Sequence, residues 1–126
     1  MKRLKPLALL LVLALLLSLL SACSSTKYQM SEQHEKYGRK ALEIVDAYLD
    51  FEITIEEADA RLNSLRGASD TLPKDTEAES TGNKLVVGEV NNLYFAINLL
   101  KLNGRTSSDI LELRNRLAGT LGVSAR

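Results

Sequence analysis

Apolar residues return every three or four positions along four stretches of the chain, and each stretch predicts a helix. Over Glu32 to Asp50, the positions Tyr37, Ala41, Ile44, Val45, Tyr48 and Leu49 share one side. Ser31 is the expected N-cap, and Gly38 is a weak point inside the helix. A second helix opens at Thr54, where Thr54-Ile55-Glu56-Glu57 has the form of a capping box. Its apolar positions are Ile55, Ala58, Leu62 and Leu65. Only Phe51 to Ile53 separate these two helices, so they are expected to form an antiparallel αα-hairpin.

The third helix is expected over Lys84 to Asn103 and is the most apolar. Val86, Val90, Leu93, Ile97 and Leu100 make one stripe, and Phe95, Leu99 and Leu102 make another. From Leu93 to Leu102 only Asn98 and Lys101 are polar. A helix this apolar on two sides needs cover on both. Asn103-Gly104 is a C-cap signal. Thr106-Ser107-Ser108-Asp109 then starts a fourth helix, with Ile110, Leu113 and Leu117 as its inner stripe and an end near Leu121. Residues 67–82 hold Gly at both ends, Pro73 between, and no apolar period, which predicts a flexible linker. No stretch alternates with period two, so no sheet is expected. The fold class is all-α: a small four-helix bundle of two αα-hairpins, over residues 31–126.

The N-terminus follows a different pattern. Lys2, Arg3 and Lys5 precede a run from Leu7 to Leu20 that is apolar except at Ser18. That run falls short of the ~20 residues a membrane-spanning helix needs. A basic start, a short apolar run and small residues after it describe a secretory signal peptide, residues 1–22. At Leu20-Ser21-Ala22-Cys23 the chain resembles a bacterial lipoprotein precursor: an apolar residue, two small residues and a cysteine, placed directly behind the apolar run. The resemblance implies that the Cys23 thiol receives a diacylglyceryl group. It further implies that cleavage before Cys23 makes this residue the mature, fatty-acylated N-terminus. Residues 23–30 would then be a lipidated tether. With Asp, the position after the cysteine resembles an inner-membrane retention signal; here it is Ser24, so cell membrane and outer membrane both stay open. The short hairpin pattern Ile53-Thr54-x-Glu56-Glu57-Ala58 is also similar to that of small bacterial helical modules, with Phe51 and Glu52 where their turn glycine stands. A murein-tethered coiled-coil lipoprotein is disfavoured by Gly67, Pro73 and Gly104 and by an ending without the family's terminal lysine.

Composition changes the picture mainly by exclusion. The 16 Lys+Arg balance 16 Asp+Glu, which argues against nucleic acid as a partner. One Cys and one His leave no disulfide framework and no zinc site. His34 is expected to be a solvated residue of the first helical turn. Seven acids stand between Ala41 and Ala60, but an EF-hand loop from Asp50 would meet Thr54, Ile55 and Arg61 at positions that need other residues. No phosphate loop or nucleophile elbow occurs, so no enzyme activity, metal or diffusible cofactor is expected. The first half is acidic and the last third basic. The two parts are expected to attract each other on packing; the alternative is that Arg114 and Arg116 face anionic lipid or wall polymer.

The functional expectation is a membrane-anchored, extracytoplasmic cell-envelope lipoprotein with a helical interaction or scaffold domain, possessing Cys23 as lipid attachment site. Its partners would be membrane lipid and either another protein or a second copy, as in an accessory subunit of an envelope complex. The candidate interaction surface is Leu93, Tyr94, Phe95, Leu99 and Leu102. The alternative is binding of a small ligand or surface polymer in a pocket lined by Tyr48, Asn92, Tyr94 or Phe95.

Overall fold

A computed structural model describes residues 27–104 and 108–126. Cys23, the signal segment and the start of the expected fourth helix at Thr106-Ser107 lie outside the described residues. Four α-helices follow one another: α1 (Glu32–Leu49), α2 (Ile55–Gly67), α3 (Ser80–Asn103) and α4 (Ser108–Leu121). Among the described residues there is no strand. The all-α bundle of two hairpins is therefore the fold.

Local chemistry starts and stops these helices where capping rules put them. The Ser31 hydroxyl accepts from the His34 amide at 3.1 Å and caps α1. Thr54 caps α2 by accepting from the Glu57 amide at 3.2 Å, and its hydroxyl lies 3.4 Å from the Glu57 carboxylate. Gly104 ends α3 with φ 63°, and Gly122 follows α4 with φ 72°.

Direction follows from which ends touch. The Ser31 amide donates to Asn83 Oδ1, so α1 and α3 begin side by side and run the same way. Asp59, early in α2, accepts from Asn98 and Lys101, late in α3. Thr120, late in α4, donates to Glu89, early in α3. So α2 and α4 both run against α3, on two different flanks of it, and α1 packs behind. The core lies between them: Ala41 and Val45 from α1, Leu62 from α2, Val86, Val90, Leu93 and Ile97 from α3, and Leu117 and Leu121 from α4.

Gly38, the weak point in α1, is a packing position. A Cβ there would come within 3.0 Å of Val86 and 3.1 Å of Leu121, so glycine lets three helices close up. Three expectations need correction. The linker is shorter than residues 67–82 and is tied down. It holds a 3₁₀ turn at Ser69–Thr71, Leu72 packs on the core, and Asp75 accepts from Asn83 at 2.9 Å. Helix α3 starts at Ser80 because its first turn packs Gly82 and Asn83, a small and a polar residue that apolar periodicity does not register. His34 is buried, not solvated, because its ring nitrogen Nδ1 sits 2.6 Å from the capping Ser31 hydroxyl.

Candidate interaction face

Helix α3 presents four sides, and the bundle covers three. Val86, Val90, Leu93 and Ile97 point into the core and are fully buried. On one flank α2 closes over Asn91, Tyr94 and Asn98; on the other, α4 meets Glu89. The remaining side holds Phe95 at 53% exposure, Leu99 at 56% and Leu102 at 71%. These three are the second stripe of the sequence, and no element among the described residues covers them. Large apolar side chains in one exposed row are unusual on a monomer's surface.

Leu93, expected on this face, is not part of it. One residue of helical rotation puts Leu93 in the stripe of Val86, Val90 and Ile97, where it is wholly buried. Tyr94 is half-buried and acts as a support. Its ring lies 5.4 Å from the Phe95 ring in an edge-on arrangement. The Arg66 guanidinium stands 4.2 Å above Tyr94 and 5.1 Å from Phe95, steadied by a 3.0 Å hydrogen bond to Asn91. Phe95 is thus exposed but held in place. Arg66 was not visible as a functional residue in the sequence, because its partners sit on another helix.

Of the four residues proposed for a ligand pocket, Asn92 and Phe95 share a groove, and Tyr48 and Tyr94 lie apart from it. Asn92, Phe95, Leu99, Asp109 and Leu113 line a groove between α3 and α4. Tyr48 lines a separate one with Ile55, Leu100 and Ile110. Tyr94 lines neither.

Three of the seven acids between Ala41 and Ala60 reach other parts of the bundle: Asp46, Asp50 and Asp59. Asp46 takes a two-pronged ion pair from Arg114, at 2.8 and 3.1 Å, and a third contact from Arg126. Arg126 also reaches Asp50. Burial pushes the Asp46 carboxyl up, yet the two arginines outweigh it and hold it below the usual range. The Asn98 hydrogen bond and the Lys101 ammonium do the same for Asp59. The acidic and basic parts of the chain attract each other, as expected. Arg114 is 4% exposed and cannot face lipid or wall polymer. Arg116 is exposed and pairs with Glu112 one turn away. Among the described residues, no group of three or more His, Cys, Asp or Glu is placed to hold a metal ion. No described helix is long and apolar enough to cross a membrane. Comparisons with protein-family models, with curated proteins and with solved structures find no match to this chain.

Proposed function

We propose that this chain is a lipid-anchored protein of the cell envelope whose helical domain is an interaction module, an accessory subunit of an envelope assembly. The observation that carries the proposal is the open side of α3, where Phe95, Leu99 and Leu102 stand exposed while every other side of the helix is packed. The anchor reading rests on the basic start, the short apolar run and Leu20-Ser21-Ala22-Cys23. Two or more acyl chains would hold such a domain at a bilayer, at about 0.8 kcal/mol per buried CH₂.

The described chain enters the bundle at one end. The Tyr28 amide donates to Thr120 at the close of α4, and Gln29 crosses Gly82 at the opening of α3 so closely that a Cβ there would meet its carbonyl. Lys27 is four residue steps from Cys23, a reach of about 14 Å at full extension. Leu99 and Leu102 lie in the last turns of a 24-residue helix, roughly 30 Å farther along. Lipid gathered around the anchor does not reach that end of an upright bundle, which favours a protein as occupant of the face.

Cys23→Ala tests the anchor. The variant is expected to lose incorporation of labelled fatty acid and to leave the membrane fraction; unchanged labelling refutes it. A photo-crosslinking residue at Leu99, in cells, tests the face. A stoichiometric adduct of defined mass is expected, and its absence at this position removes the interaction module.

A further inference from the structure

The open side of α3 continues toward the helix start. Leu85, Gly88, Asn92, Phe95, Leu99 and Leu102 follow at intervals of three, four, three, four and three residues, which is the a/d spacing of a coiled-coil seam. Asn92 and the three large apolar residues after it are exposed. Leu85 and Gly88 are half-covered, and among the described residues nothing beyond the helix's own neighbouring backbone lies within 4 Å of where a Gly88 Cβ would be. We propose that this seam pairs with the same seam of a second copy running in the opposite direction, deepening the interaction-module reading on which it rests.

Three features select a second copy in that orientation. First, the seam is self-complementary when reversed. Centred between Asn92 and Phe95, it sets Leu85 against Leu102 of the second copy, Gly88 against Leu99, and Asn92 against Phe95. Every layer then joins an a position to a d position, and the notch at Gly88 receives the larger Leu99 side chain. Second, the seam itself holds no charge. Glu89, the one acid of α3, is turned to α4 by its 2.6 Å hydrogen bond from Thr120, so like charges do not meet across the axis.

Third, both flanking helices begin with acids. Helix α2 has Glu56 and Glu57 in its first turn and Arg66 in its last. Helix α4 has Asp109 and Glu112 early and Arg116 one turn later. Both start at the same end of the bundle. A reversed copy brings the acidic start of α2 beside the Arg66 end of its counterpart and keeps the acidic starts of the two α4 helices apart. A copy in the same direction would bring acidic starts together. The two N-terminal ends then lie at opposite ends of the pair, so the upright posture of a single anchored copy would give way to a pair lying along the membrane plane, with the apolar seam buried between the copies.

The test uses the full-length chain in detergent, with wild type as the background for its native cysteine. Oxidation of Asn92→Cys is expected to give a covalent dimer, because position 92 lies next to the axis. Leu102→Cys alone is expected to form no covalent link, while Leu85→Cys combined with Leu102→Cys is expected to give a covalent dimer. Gly88→Leu fills the notch. It is expected to keep its helical melting curve and to shift the sedimentation of the otherwise unmodified chain from dimer to monomer. Self-linking at Leu102 as strong as at Asn92 would mean a parallel pair and overturns the proposal. A monomeric chain that still gives a Leu99 photoadduct with a different protein overturns the second copy but leaves the interaction module standing. A monomer with no adduct overturns both.

Discussion

Phe51 stands where a glycine would serve the backbone better. It follows the last turn of α1 with φ 61°, and the Glu52 amide donates back to Ala47 across it, the closing bond of a left-handed helix cap. For an L-residue with a Cβ that conformation costs about 1–2 kcal/mol. Its ring recovers none of this by burial, since 95% of the residue is exposed. Phe51→Gly is therefore expected to raise stability by about 1 kcal/mol, seen as a melting point several degrees higher. A lower melting point would mean that the ring makes a contact within the folded chain. The turn signal was legible in the sequence as a missing glycine. Its cost was not, because a dihedral angle belongs to the folded backbone.

Between elements, the strongest single tie joins α1 to α4. Arg114 is almost fully buried and spends its donors on Asp46, on the Asn115 side chain and on the Ser124 carbonyl. Removing the carboxylate leaves a buried guanidinium short of its counter-charge, which costs 3–5 kcal/mol for a fully buried pair. Asp46 retains about a quarter of its exposure, so Asp46→Asn is expected to cost less, about 2 kcal/mol at neutral pH. The sign of the pH dependence follows from a carboxyl held below its usual range. Its stabilisation is complete above about pH 4 and is lost as pH falls through the folded value. Urea denaturation at pH 7 and pH 3 should therefore show a wide gap between wild type and Asp46→Asn that narrows in acid. The exposed one-turn pairs, such as Arg116 with Glu112, offer no comparable handle at about 0.3–0.5 kcal/mol each.

At the scale of the molecule, Glu89 works against the other acids. Burial between α3 and α4 pushes its carboxyl up despite the Thr120 hydrogen bond, and its Oε2 has no partner among the described residues. A raised carboxyl adds stability below about pH 4 that is lost as pH rises through the folded value. Glu89→Gln is expected to melt higher than wild type at pH 7 and to lose that advantage near pH 4, measured by circular dichroism. Four helices, two hairpins and the caps at Ser31, Thr54 and Gly104 could be read from the chain because they depend on local spacing and on side chains within a few residues. The Phe95, Leu99 and Leu102 stripe was legible as an excess of apolar surface needing cover. The sequence by itself therefore determined the elements, their caps and a second apolar stripe on α3 that needs cover. Tertiary structure alone decided that α2 and α4 flank α3 without closing over it, that Leu93 faces inward, and that Arg114 is buried beside Asp46. Those outcomes depend on which helices become neighbours, and contacts between residues dozens of positions apart leave no periodic trace along the chain.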